Sequence, residues 1–340
     1  MMKIPDGFNI IEIRKELSKI IHDSKVASKP MECLICGKTT ESFCNSHSVP
    51  RMVLKSIADK GKLLQANVMI GIEALDIEKG INNSGTFHCI CNDCDSKIFK
   101  DYEDSERITN YPLDSMMAEI ALKDSLYELI KRKHEVEMFK KCGIENSLIN
   151  RTMELDISEY SEEIELYKGI ILNDDQGQFE ILYWSKLPYI VPYATQTCFA
   201  LSEDMYGNMV NDNFYYSSNT RMEKMHICIF PLKSESVILA FYHKRNTKYR
   251  ILKGQLNIVS DEQALRYINW LVIKNTENIF IAKELKQLID NNQELQKLSQ
   301  DVFGVPNLGL IDSISDIINN KPVGVDDIPN LLDKEYSIKR

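Results

Sequence analysis

Near the start of the chain, apolar residues recur at three- and four-residue steps through Ile10, Ile13, Leu17 and Ile20 or Ile21. This spacing predicts an amphipathic helix that ends near His22, before the polar connection DSKVASKP. The same period returns at Met116, Met117, Ile120, Leu126, Leu129 and Ile130, with Cys142-Gly143 placed to stop the helix. Ile157, Tyr160, Ile164 and Tyr167 predict a further short helix before the turn NDDQGQ. Beyond that turn the texture changes to short runs rich in aromatic and β-branched residues, at 179–184, 189–193, 197–201, 225–230 and 237–242, punctuated by Gly, Asn, Asp, Pro and Ser. HICIFPLKSESVILAFYH reads as a hairpin across KSES, with Pro231 closing its first strand. Ser260 is a helix N-cap before a stripe of Ala264, Tyr267, Ile268, Leu271 and Val272, and residues 278–290 and NQELQKLSQ are read as further helix.

These elements predict an α+β chain. An N-terminal helix (1–30) precedes a cysteine-rich module (31–110) and a helical connector (111–175). A mainly antiparallel sheet ending in helices follows (176–300), then a Pro-broken tail (301–340) expected to dock weakly or fray. The boundary between the halves is expected between about residues 142 and 176, and two domains are the natural expectation at 340 residues.

Composition narrows the function classes. Hydrophobic residues at 44% and charged residues at 27% are those of an ordinary globular protein. A net charge of -9 argues against coating nucleic acid through bulk charge, since phosphate binding rests on Lys and Arg. A local basic track near Arg51, Lys55, Lys60 and Lys62 remains compatible with it. The run Lys131, Arg132, Lys133 is read as a solvated face. Nine cysteines, an odd number without a secretory leader, fit a reducing cytoplasm in which thiolates serve a metal rather than a disulfide framework. No apolar run is long enough to suggest a membrane span. No nucleophile elbow, phosphate-binding glycine loop or dinucleotide fingerprint is present, and a homodimer is compatible with the chain.

The chemistry concentrates in residues 31–104. Cys33-Leu-Ile-Cys36-Gly37 opens this stretch, Ser46-His47-Ser48-Val49-Pro50-Arg51 lies inside it, and Cys91-Asn-Asp-Cys94-Asp95 closes it. A C-x2-C turn brings two thiolates to one ion while backbone amides bond to the sulfurs, so Cys33, Cys36, Cys91 and Cys94 are expected to hold one structural Zn2+. Cys44, Cys89, His47 and His88 could replace one of the four. The second knuckle is read as opening a helix through Glu106. Asp95 would sit at its positive N-terminus, and Ile98, Phe99 and Tyr102 would form its apolar stripe.

This order, with the phrases SHSVPRMVLKSIADKGKLL and GTFHCICNDCDSKIF, resembles the treble-clef, zinc-stabilised branch of the HNH (ββα-metal) nuclease family over residues 33–106. The resemblance implies a metal-dependent endonuclease, acting on DNA, in a setting such as bacterial host defence. It places His47 as general base on a water and Asp95 beside a catalytic Mg2+ or Mn2+, with Arg51 and Lys55 toward the nucleic acid. Such a pair suits phosphodiester hydrolysis, which needs a deprotonated water and a hard cation on the scissile phosphate. One departure bears on this: the family places Asp, Glu or His before the catalytic histidine, and here that residue is Ser46. The competing expectation is a non-catalytic zinc module that holds a binding surface for protein or nucleic acid. A zinc hydrolase is the weaker third, because four thiolates leave no open position for water.

Overall fold

The structure, a computed structural model, describes residues 10–65, 79–143, 147–212, 221–300 and 322–339. Helix α1 (Ile10–Ala27) leads into the cysteine-rich segment, which holds strand β1 (Ser46–His47), helix α2 (Arg51–Ile57), strands β2 (Lys62–Gln65), β3 (Lys79–Gly80) and β4 (Thr86–Phe87), and helix α3 (Asn92–Ile98). Two long helices follow, α4 (Asp114–Lys141) and α5 (Ser147–Asn173). Next come strands β5 (Phe179–Leu187), β6 (Tyr193–Phe199), β7 (Met225–Pro231) and β8 (Ser236–His243). The chain continues through α6 (Arg250–Ile258), α7 (Asp261–Asn275), β9 (Ile279–Ile281), α8 (Lys286–Asn291) and α9 (Gln293–Gln300).

The α+β expectation holds. Seven strands in the order β3-β2-β9-β6-β7-β8-β5 pair antiparallel throughout. Strand alternation sends successive residues to opposite faces. Cys228, Phe230, Val237, Leu239 and Phe241 pack into a core shared with α4, α5 and the cysteine-rich segment. Ile227, Ile229, Ile238, Ala240 and Tyr242 pack into a second core with α6 and α7. Both faces are covered, which is why every residue of β6, β7 and β8 is buried and these strands read as runs rather than as alternation.

Several local expectations are met. The β7–β8 hairpin turns across KSES with Pro231 opposite Ser236. Gly143, at φ 67, ends α4 by donating its N–H to Lys140 O at 3.1 Å. Ser260 and Gln263 form a reciprocal capping box at the start of α7.

Three differ. Residues 279–281, read as helix, form the strand β9 between β2 and β6, because the apolar IFI triplet has a sheet neighbour on each side. The helix opened by the second knuckle stops at Ile98 instead of running to Glu106, so Asp95 and Glu106 do not share a helix face. The helix predicted from Ile157 to Tyr167 is 27 residues long as α5. Among the described residues, no helix is long and apolar enough to cross a membrane. Residues 66–78 of the insert between α2 and α3, and 301–321 and 340 of the tail, lie outside the described residues.

The cysteine-rich segment is tied directly to the sheet. Strands β2 and β3 extend the sheet past β9, and Ser48 Oγ donates to Asn278 Oδ1 at 2.8 Å. Gly85, at φ 61, packs so tightly there that a Cβ would collide with the Phe280 ring and the Ser48 hydroxyl. Glycine is required on both counts.

Candidate metal centre and its buried cation

The first knuckle is a tight turn. Gly37, at φ 68, donates its N–H to Cys33 O at 2.8 Å, and Cys33 N–H donates to Lys38 O at 3.0 Å. β1 and β4 pair antiparallel, Ser46 opposite Phe87 and His47 opposite Thr86. Bonds from Leu34 N–H to Cys89 O and from Cys44 N–H to Ile90 O carry the chain to the second knuckle, where Cys91 caps α3. The four sulfurs of Cys33, Cys36, Cys91 and Cys94 thereby come within 4.8 Å of one another. Cys36 Sγ and Cys91 Sγ are 3.9 Å apart. A tetrahedron with Zn–S bonds of about 2.3 Å has edges of about 3.8 Å, so the spacing fits zinc.

The second requirement of a zinc knuckle, backbone N–H groups on sulfur, is also met: Cys91 N–H donates to Cys33 Sγ at 3.3 Å. Burial acts to raise the Cys33 thiol, but amide bonds from Cys36, Cys91 and Ile35 prevail and hold it at about 7. The Cys94 thiol is pushed up by burial and by the neighbouring sulfurs, as expected where four thiols crowd together and only a cation lets all of them ionise.

The alternative ligands are placed elsewhere. Cys89 is fully buried in the core and His88 is exposed. Cys44 donates its thiol to Asp95 Oδ2 at 3.3 Å, and burial together with the Asp95 charge pushes it up to about 12. His47 does not join the sulfur cluster.

Beside the cysteines lies a second constellation, centred on a residue that the sequence reading passed over. Lys123 projects from α4 with its side chain 1% exposed. Its Nζ is 2.9 Å from Asp95 Oδ1, 2.9 Å from Ser46 Oγ and 3.2 Å from Glu103 Oε1, and lies 3.8 Å from the centroid of the Phe99 ring. Ser46 also donates to Asp95 Oδ1. Burial alone would raise the Asp95 carboxyl, but the ammonium and the hydrogen bonds from Ser46, Lys123 and Cys44 bring it below the usual carboxylate range. Glu103, penalised by burial and facing Asp95, is raised in spite of Lys123.

His47 faces away from this cluster, as strand alternation requires of the residue after Ser46. Its Nε2–H donates to Ile81 O at 3.0 Å. Burial, then the charges of Lys123 and Arg51, lower its pKa, so the imidazole is neutral at pH 7. His47 and Asp95, expected to share an ion, thus have separate partners: a backbone carbonyl for one and an ammonium for the other.

Arg51 opens α2, exposed, with Nε and Nη2 at 3.1 and 2.8 Å from Asn82 Oδ1. Lys55, one turn on, and Lys60 and Lys62 in the following turn and strand are exposed as well. The run at residues 131–133 is not a plain solvated face, since Lys131 is 2.9 Å from Glu277 and Arg132 2.8 Å from Asp156.

Lys123 had a signal in the sequence. It lies three residues after Ile120 and seven after Met116, on the stripe that α4 buries, and a charge on a buried stripe needs a partner. Comparison with family models, curated proteins and solved structures returns no match for this chain.

Proposed function

We propose that residues 31–106 are an HNH-like zinc module of treble-clef order in which an internal ammonium has taken the place of the catalytic ion. In this reading the module is a binding scaffold rather than a nuclease. One observation carries it: Lys123 Nζ is surrounded by Asp95, Glu103 and Ser46, and Asp95 is the residue that the resemblance sets beside Mg2+ or Mn2+. A fixed, buried ammonium supplies positive charge but no open coordination position for a phosphate or a water. A divalent ion beside it would meet strong like-charge repulsion. The partner that fits the outer surface is nucleic acid, with DNA foremost, held along Arg51, Lys55, Lys60 and Lys62. The expected behaviour is salt-sensitive binding of duplex DNA by the zinc-loaded chain, and no nicking of supercoiled DNA with Mg2+ or Mn2+.

A second reading rests on His47. A neutral imidazole whose Nε2–H is held by Ile81 O has Nδ1 as a lone-pair base, the form a phosphodiesterase would use on water. Metal-dependent nicking that disappears in a folded His47→Ala variant would favour that reading and overturn the scaffold.

A further inference from the structure

Where α5 meets the ends of β5, β7 and β8, several buried polar atoms have no hydrogen bond among the described residues. Tyr167 Oη, His226 Nε2, His243 Nε2, Arg221 Nη1 and Arg245 Nε and Nη2 are all buried without a hydrogen bond. Their side chains share one place: the Tyr167 ring centroid is 5.9 Å from that of His226 and 6.1 Å from that of His243. Arg245 is two residues on from His243 and Arg221 Nη2 donates to Asn246 Oδ1 at 2.6 Å; burial, then neighbouring positive charge led by Arg245, brings the His243 imidazole down to about 4.

The tautomers follow from the occupied nitrogens. His243 Nδ1 accepts the Arg245 backbone N–H at 3.2 Å, so the neutral ring carries its proton on the unpartnered Nε2. His226 Nδ1 pairs with Asp124 Oδ2 at 2.7 Å. The groups left over on His243, Arg221 and Arg245 are therefore donors, and Tyr167 adds a hydroxyl. A buried donor without an acceptor costs the desolvation of that group, and here four side chains incur it together.

Charge points the same way. Lys224 is held by Glu159 and Glu163, at 3.1 Å each, and Arg245 is 3.6 Å from Glu163. With Arg221 the cluster has three cations, and its carboxylates are already engaged, Glu159 and Glu163 by Lys224 and Asp124 by His226, while Arg221 and Arg245 keep buried N–H groups without a hydrogen bond. Asp124, Cys198 and His226 bring O, S and N donors within 4.8 Å of one another. A metal there would meet the repulsion of Lys224, Arg221 and Arg245. Guanidinium groups with a histidine N–H and a phenol are the recognition set of an oxyanion.

We propose that this cluster of buried donors binds a small oxyanion of the phosphate, sulfate or carboxylate class, held by Arg221, Arg245, His243 and Tyr167. The Arg245 side chain, 30% exposed, is its contact with solvent. The site is separate from the zinc module and does not depend on the reading given above.

The test is titration of the full zinc-loaded chain with inorganic phosphate, sulfate and acetate by calorimetry, with thermal melting alongside. The expected result is saturable binding at one site per chain for at least one of the three, which also identifies the class. Arg245→Gln is expected to weaken it about tenfold or more, the loss that accompanies one charge-assisted hydrogen bond. Arg250→Gln, in the separate exposed cluster with Glu180, Lys244 and Lys253, is expected to leave it unchanged. If Arg245→Gln does not fold, nitrogen NMR of the His243 ring in the wild-type chain decides: a shift of Nε2 that saturates with the calorimetric curve supports the site. The proposal is overturned by no saturable binding of any of the three anions, or by binding that Arg245→Gln leaves intact. It is equally overturned by binding that Arg250→Gln removes or that leaves the His243 ring unmoved.

Discussion

Lys123 Nζ lies 2.9 Å from Asp95 Oδ1, joining α4 to the helix that starts at the second zinc knuckle. The lysine side chain is 1% exposed, so the pair is a long-range tie between two packed elements and not a surface decoration. Removing the ammonium leaves Asp95 and Glu103 facing each other without a cation. Lys123→Met is accordingly expected to destabilise the chain by about 3–5 kcal/mol, the usual cost of stranding one partner of a buried pair. Urea unfolding of the two proteins measures it; a loss below about 1 kcal/mol would mean that the ammonium is not the keystone of this cluster.

The four-cysteine cluster has its own test. Metal analysis of the purified chain should give one zinc held by Cys33, Cys36, Cys91 and Cys94. Cys36→Ser or Cys91→Ser should remove it and cost more than about 4 kcal/mol, the range reached when a structural metal is lost. Cys44→Ser should keep zinc, because its thiol is engaged with Asp95. Zinc loss in Cys44→Ser equal to that in Cys36→Ser would redraw the ligand set.

Gly85 tests how firmly the cysteine-rich segment is seated on the sheet. Its positive φ and the close approach of Phe280 and Ser48 mean that Gly85→Ala must both strain the backbone and push β4 away from β9. The expected cost is about 1–3 kcal/mol, typical of overpacking. Gly80→Ala, where an added Cβ meets nothing, serves as the control.

Glu119 gives a pH signature. Its Oε2 accepts the N–H groups of Asp101 and Tyr102, yet burial, with the Asp101 charge adding to it, raises its pKa to about 7. The folded chain therefore keeps a proton that the unfolded chain releases above about 4.5. Between these values the folded state binds more protons, so this group's contribution to stability falls as pH rises from about 4.5 to about 7. Glu119→Gln, which retains an acceptor oxygen, should stabilise the chain at pH 8 by up to about 3 kcal/mol relative to its effect at pH 4. Equal effects at the two pH values would show that the carboxyl titrates normally.

The basic track predicts how nucleic acid is held. Arg51→Ala and Lys55→Ala should each weaken duplex DNA binding irrespective of sequence and lower the slope of log affinity against log salt by about 1. Fluorescence anisotropy across a salt series reads both quantities. An unchanged slope in both variants would move the interface elsewhere.

Much of this was legible in the chain. The two knuckles pointed to the four-cysteine cluster by spacing alone, and the Ser260 cap, the KSES hairpin and the Gly143 stop were visible because each rests on a local backbone requirement. What failed to show was what tertiary contact decides. Residues 279–281 are too short to carry a period, and became a strand only because β6 and β2 were there to pair with them. The Lys123 cluster joins residues 46, 95, 103 and 123, and no local pattern links those positions. Ser46 stood out in the sequence beside His47, but its bonds to Lys123 and Asp95 join residues too far apart in the chain to be read from it.

The most direct test of the central claim is a Mn2+ titration of the zinc-loaded chain, followed by electron paramagnetic resonance and by broadening of the His47 ring signals. The proposed reading, in which the Lys123 ammonium stands in for a divalent ion beside Asp95, predicts that no stoichiometric Mn2+ binds there and that the His47 signals stay sharp. One Mn2+ per chain that broadens His47 and is lost in a folded Asp95→Asn variant would contradict the account.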